Sequence, residues 1–246
     1  MVIGILGAVA QNDIKRLLSF TLVSHIGYML FGIALASQAG LGASIFYVAH
    51  HITVQTTLFL VVGLVERRGG TTSLERLGGL AKIAPGLAIL FFIPAMNLAG
   101  IPPLSGFLGK VGLLEAGVAQ GTPLAYTLVV GSVVTSLLTL YAIVKAWNKA
   151  FWQTPPEALP EASLPGTMVG PTAALVGLGL LLTAVSGPLY AYADRAAGTM
   201  MEPSNYIDAV LDSTGRGTGD STETTDETSP TDPTSTTDDA TQGGDS

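Results

Sequence analysis

Five ionisable side chains lie inside long apolar stretches of this sequence: His25, His50, His51, Lys110 and Glu115. An ionisable group at membrane depth is costly to bury, so each is first read as part of a path for ions or protons. Lys110 is the sharpest of them. It stands ten residues before Gln120, roughly 15 Å along a helix, which is close to a bilayer midplane and too deep for its ammonium to reach water easily. Desolvation, nearby charges and water together decide whether a lysine at that depth keeps its proton, which poises it for proton exchange. The bland alternative is a lysine paired or snorkelled for structural reasons. His25 lies about 13 Å into its stretch and His51 about 22 Å from the inner end of the next, so the two are expected to be neighbours at best through a water. A buried histidine passes protons near neutral pH, and a relay suits that geometry better than shared ligation; helix packing is the competing explanation. His50 and His51 point about 100° apart on a helix, so one of them at most is expected to face the path. Glu115 falls off the Lys110 face and is expected at a rim.

Those residues need spanning helices to hold them at depth. The 246 residues are 48% hydrophobic and only 12% charged, with a mean hydropathy of +0.50, too apolar for an ordinary water-soluble domain. Apolar stretches at about Leu17 to Ala36, Leu41 to Val65, Pro85 to Ala119, Leu124 to Trp147 and Met168 to Tyr192 are each long enough to cross a bilayer. The third exceeds one straight span and carries Pro94 and the pair Pro102-Pro103, which remove backbone donors and disfavour helix just before them. It is expected to be one broken helix. Freed carbonyls inside a bilayer survive only where protein or a wet cavity satisfies them, so the break itself points to an ion path. The opening MVIGILGAVA lacks the basic leader of a secretory signal and predicts a half-length helix. The fold class expected is therefore all-α integral membrane, about five full spans plus an N-terminal half-helix, with the break at Pro102-Pro103.

Charge placement sets the orientation. Lys15, Arg16, Arg67, Arg68, Arg76, Lys82, Lys145 and Lys149 fall at one side of the alternating spans, while Ser37 to Gly40 and Gly121 to Pro123 carry no basic residue. The positive-inside rule puts the basic loops in the cytoplasm and the C-terminal tail outside, in a multi-pass protein of the cell membrane. Lys145 and Lys149, beside Trp147 and Trp152, are expected to be interfacial anchors, and Asp13 a helix cap. From Glu202 onward there are 11 acidic residues against the single basic Arg216, so the net charge of -7 belongs to the tail and implies no nucleic-acid partner. Residues 203-246, rich in Thr, Ser, Asp and Gly, predict a disordered exterior tail. The absence of cysteine excludes disulfides, thiolate metal sites and thiol nucleophiles, and no phosphate loop, GxSxG or HExxH motif occurs. No cofactor or metal is expected, nor an enzyme in the hydrolase or transferase sense.

Three runs carry a family resemblance: DIKRLLSFTLVSHIGYM from Asp13, HHITVQTTLFLVVG from His50, and LERLGGLAKIAPGLAILFFIPAMNLAGIPPLSGFLGKVGLLEAG from Leu74. They resemble the proton-translocating membrane subunits of Mrp-type multisubunit Na+/H+ antiporters, most of all the D subunit, a family shared with the antiporter-like subunits of respiratory complex I. The resemblance covers about Met1 to Trp152 and its last run is highly specific. It implies that 1-152 is the second of two inverted transmembrane repeats, followed by a cytoplasmic loop over 153-166 and a final transmembrane helix over 167-194. By this resemblance Lys110 matches the lysine of the second broken helix and His51 the histidine opening the HAxxKAxLF-like motif; the proton relay expected is Lys110, His51 and, from its depth in the first full span, His25. The implied partners are the other subunits of a hetero-oligomeric complex, the lipid bilayer, H+ and Na+ or another monovalent cation. Gln55 stands where many relatives carry lysine. The first repeat is absent, which implies that this chain alone does not exchange cations for protons. A proton-pumping subunit of NADH dehydrogenase is the rival within the family, and a non-transporting fragment or interaction module is another. From a different class, two histidines on successive helices could ligate haem, against which their mismatch in depth argues.

Overall fold

The computed structural model describes residues 1–157, 160, 162–202, 204, 207 and 210. Every regular element among them is helical: α1 (Val2–Ala10), α2 (Ile14–Ala34), α3 (Gln38–Gly69), α4 (Leu80–Ile83), α5 (Pro85–Ala99), α6 (Ser105–Gln120), α7 (Pro123–Trp147, continued by a π-helical turn Asn148–Trp152), α8 (Gly166–Ala184) and α9 (Ser186–Met201). The chain is an all-α membrane protein. Among the described residues four helices, Ile14–Ala34, Gln38–Gly69, Pro123–Trp152 and Gly166–Ala184, are long and apolar enough to cross a bilayer, and α5 is a shorter apolar helix.

The helix ends follow from local chemistry. Asp13 caps α2 by accepting from the Arg16 amide at 3.0 Å, Ser37 caps α3 through the Gly40 amide at 3.2 Å, and Thr122 caps α7 through the Ala125 amide at 3.2 Å. Pro85 and Pro123 occupy first-turn positions, where a missing N–H costs nothing. The third apolar stretch is broken as expected, between Ala99 and Ser105. The final stretch is two helices rather than one. Val185, at φ -98 and ψ 16, separates α8 from α9 because Pro188 cannot donate to the Ala184 carbonyl.

Helix α3 is central to the helical unit that holds α1 to α9, touching α2, α5, α6, α8 and α9. Along α2, α3 and α7 the same order of residue types recurs. Leu17 and Leu18, Leu58 and Val61, and Ala142 and Ile143 belong to one apolar cluster; Tyr28, Tyr47 and Ala125 belong to a second. Between them on each helix lie buried polar groups: Thr21, Ser24 and His25; His50, His51 and Gln55; Ser132, Thr135 and Thr139. A polar seam therefore crosses the bundle at mid-length. The outer face of α7 exposes Leu124, Val130, Val133, Leu137 and Tyr141, an apolar surface that suits lipid as solvent.

The basic loops gather at one end. Lys15 pairs with Glu66 at 2.6 Å, Arg67 donates to the Ser163 carbonyl at 3.1 Å, Arg68 to that of Pro160, and Thr72 to Asp13. Lys145 does more than anchor: its ammonium donates to the Val9 and Gln11 carbonyls at 2.8 and 2.9 Å, supplying donors for the exposed C-terminal end of α1. The described residues between Gln153 and Pro165 form no helix or strand. Residues 204–246 form a second unit, within which Ser204, Ile207 and Val210 are helical. The expectation of a disordered tail over 203-246 falls almost wholly outside the described residues.

Candidate functional site: a lysine at a broken helix beside a histidine cluster

Lys110 projects from the second turn of α6 back into the break and is 6% exposed. Its ammonium donates to the Ala99 carbonyl at 2.8 Å, to the Leu98 carbonyl at 3.3 Å and to Ser136 Oγ at 3.0 Å, and lies 5.6 Å from the centre of the Tyr28 ring. The two carbonyls are the unsatisfied end of α5, where the helix dipole is negative, so the break creates the acceptors that hold the cation. Gly100 makes the approach possible. Its φ of 82 is left-handed, and a Cβ there would stand 3.0 Å from Lys110 Nζ. Three ammonium hydrogens meet three acceptors. A cavity of about 170 Å³, room for several waters, adjoins the lysine and is lined by Tyr28, Gly100, Ser132 and Ser136 among others.

Across the Tyr28 ring lies His25, 5.6 Å between centroids, and beyond it the rings of His25 and His51 stack at 4.8 Å. This corrects the expectation that they meet only through a water. Span lengths alone do not set the register of antiparallel helices: Gln55 donates to the Leu18 carbonyl and Ser44 to that of Met29, so α3 runs well past the start of α2 and His51 comes level with His25. A haem plane cannot enter between rings in contact. The hydroxyl of Tyr47 lies 2.8 Å from His25 Nδ1, and its ring stands 6.2 Å from that of His51 and 5.6 Å from that of His50. Both nitrogens of His51 and Nε2 of His25 have no hydrogen-bond partner among the described residues.

His50 turns to the break instead, its Nδ1 3.0 Å from Ser105 Oγ. Ser105 Oγ lies 3.3 Å from Asn97 Oδ1, which also accepts from the Gly106 amide at 2.9 Å, while the Ser105 amide donates to Thr183 at 3.1 Å. Asn97 thus satisfies the N-terminal end of α6 as Lys110 satisfies the C-terminal end of α5. Sequence reasoning passed over Asn97; a lone amide inside PGLAILFFIPAMNLA was the available signal.

Gln55 donates to the Leu18 carbonyl at 2.8 Å, and its Oε1 has no hydrogen-bond partner among the described residues. Glu115 is exposed and lines, with Tyr190 and Asp194, a separate open groove of about 590 Å³ between α6 and α9. No group of three or more His, Asp or Glu among the described residues is placed to hold a metal ion.

Residues 1–139 match the family described as NADH:quinone oxidoreductase/Mrp antiporter, transmembrane. The chain is 39% identical over 212 residues to the D subunit of the Na(+)/H(+) antiporter of Alkalihalophilus pseudofirmus, a match covering 86% of this chain and 42% of the relative. It is 36% identical over 200 residues to NADH-quinone oxidoreductase subunit N 2 of Solidesulfovibrio magneticus, covering 81% of this chain and 42% of that one. Among solved structures, the Mrp complex of Dietzia sp. DQ12-45-1b gives a TM-score of 0.78 at 34% identity, over 85% of this chain and 47% of that chain. Respiratory complex I of Thermus thermophilus with bound NADH gives 0.68 at 28%, over 79% and 41%. The chain spans less than half the length of these relatives. From the broken helix and its lysine to the sequence match over 1–139, the chain belongs to the NADH:quinone oxidoreductase/Mrp antiporter transmembrane family.

Proposed function

We propose that this chain forms part of a membrane subunit of a multisubunit monovalent cation/proton antiporter, in which Lys110, His51 and His25 pass protons along the seam at mid-membrane. The observation that carries this reading is Lys110 itself: a buried ammonium tied to the free carbonyls of a broken helix and joined through Tyr28 to the stacked histidines. When Lys110 gives up its proton, the neutral amine keeps two donors for three acceptors, and the attraction between ammonium and helix end is lost. The 3.3 Å contact to the Leu98 carbonyl is the weakest and is the one released. A deprotonated lysine is then free to turn toward the adjoining cavity and take its next proton there. His25, against the Tyr28 ring that lines the cavity, and His51 stacked on it receive or supply that proton.

The basic ends of α2, α3 and α7 lie in the cytoplasm on this reading, because positively charged loops are retained there, and the C-terminal tail lies outside. The other subunits of the complex complete the path. Higher identity and TM-score favour the Mrp assembly over the NADH-quinone oxidoreductase one. Dependence of proton movement on sodium rather than on quinone separates the two.

The test is Lys110→Ala in the assembled complex, read as cation-driven proton movement in vesicles. Exchange falls to background with assembly intact; wild-type exchange in that variant refutes the relay.

A further inference from the structure

The break is linked to α3 by a hydrogen-bonded chain whose direction can be deduced. The Gly106 amide can only donate, so the Asn97 atom 2.9 Å away is the carbonyl oxygen Oδ1, and the orientation of the side-chain amide is settled. Oδ1 can only accept. Ser105 Oγ, 3.3 Å from it, satisfies both groups by directing its single hydrogen at Oδ1, since two acceptors would otherwise face each other. That hydroxyl has no second hydrogen for His50 Nδ1, 3.0 Å away, so Nδ1 carries the hydrogen and donates to Ser105. The order is His50 Nδ1–H to Ser105 Oγ–H to Asn97 Oδ1. A neutral His50 then has its one lone pair at Nε2, which has no hydrogen-bond partner among the described residues and faces Gly106, where an added Cβ would stand 3.0 Å from it.

We propose that His50 is a further proton-accepting residue of the seam, with Nε2 as its basic atom, and that Ser105 and Asn97 are positioning residues that fix this tautomer at the break. A proton arriving at Nε2 leaves Nδ1–H and the whole latch unchanged. His50 can be charged and discharged without disturbing the start of α6, and so without moving Lys110. Were the tautomer reversed, each protonation would require Ser105 to turn and release Asn97. Titratable groups near His50 are Tyr47 and His51 on its own helix, His25 on α2 and Lys110 on α6. Neither α5 nor α8, which also pack against α3, contains a charged residue. The expectation that one of His50 and His51 at most faces the path is replaced by a division of place: His51 against His25, His50 against the break.

The test is solid-state NMR of the full chain in lipid bilayers with 15N-labelled histidine, the His50 signals being identified by their disappearance in His50→Gln. Wild-type His50 shows a protonated Nδ1 and a bare Nε2 above its titration; a protonated Nε2 overturns the proposal. In Ser105→Ala, with His25 and His51 signals kept as evidence of folding, the Nδ1–H preference is lost; an unchanged His50 tautomer also overturns it. The proton-accepting role rests on the proposed relay, whereas the tautomer does not, so failure of Lys110→Ala and failure of the spectrum are distinguishable. In the assembled complex His50→Gln lowers exchange by at least about tenfold, and wild-type exchange there removes His50 from the relay.

Discussion

Replacing Gly106 by alanine tests whether the two half-helices are held as closely as their hydrogen bonds imply. A Cβ at that position would stand 2.0 Å from the Asn97 backbone oxygen and 3.0 Å from the His50 ring. Neither neighbour is a flexible chain end, so α5 and α6 must part by at least about 1 Å, in an interior too dense to absorb it elsewhere. The Gly106 amide to Asn97 Oδ1 bond then lengthens from 2.9 Å to beyond hydrogen-bonding distance. A buried amide left without its acceptor costs about 1–3 kcal/mol, and overpacking of this kind adds about as much. Together Gly106→Ala should destabilise by about 2–6 kcal/mol. Gly131, in α7, is the control, since an added Cβ there meets nothing within 4 Å. Alanine at 131 should be neutral or stabilise by up to about 1 kcal/mol through helix propensity. The assay is equilibrium unfolding in mixed micelles of SDS and mild detergent, followed by Trp147 and Trp152 fluorescence. If Gly106→Ala unfolds together with Gly131→Ala and the wild type, the cross-tied break is refuted.

The basic end supplies the remaining predictions. Lys145→Ala strips both donors from the Val9 and Gln11 carbonyls and should cost about 1–3 kcal/mol in the same unfolding assay. Lys15→Ala, whose pair with Glu66 is 45% and 46% exposed, should change it by under about 1 kcal/mol, and equal effects of the two lysines would refute the assignment. Burial pushes the Asp13 carboxyl up, but hydrogen bonds from Thr72 and from the Arg16 and Lys15 amides, with the Arg16 charge, outweigh it and hold the group below its ordinary value. Its contribution to stability is therefore full above the unfolded carboxylate value of about 4 and is lost as pH falls through the folded one. An asparagine at that position would cap α2 without titrating, so melting of Asp13→Asn should lack that acid-side loss; an unchanged acid limb would contradict it.

How much of this was legible in the sequence depended on whether a residue's meaning is local. Lys110 was readable because an ammonium in mid-span has few explanations, and the break because Pro102-Pro103 admits no continuous helix. The contact of His25 with His51 was not readable from span lengths. It depends on how far α3 runs past α2, which side-chain bonds at Gln55 and Ser44 fix. Lys145 beside Trp147 looked like an interfacial anchor; its partner lies 134 residues away in sequence, on a helix end that no local pattern associates with it. Pro188 marked the α8–α9 boundary and was outweighed by the continuous apolar run around it.

Asn97 shows why the polar seam and the break occupy one level of the bundle. In a membrane a helix interrupted in mid-span exposes amides on one half and carbonyls on the other, and water cannot be relied on for either. An amide oxygen answers the first need and an ammonium the second, so Asn97 and Lys110 are complements within one broken helix, each supplied by the half-helix that the other caps. The same interruption that must be repaired for stability therefore creates, at its repair, a buried charge with donors and acceptors on either side. His50 joins through Ser105 because α3 is the helix against which both halves pack. A substitution that relieved the need for the lysine, such as a continuous helix across 100–104, would remove the acceptors that make it worth burying. In this chain the cost of breaking a spanning helix and the burial of an ammonium at the break are one structural fact.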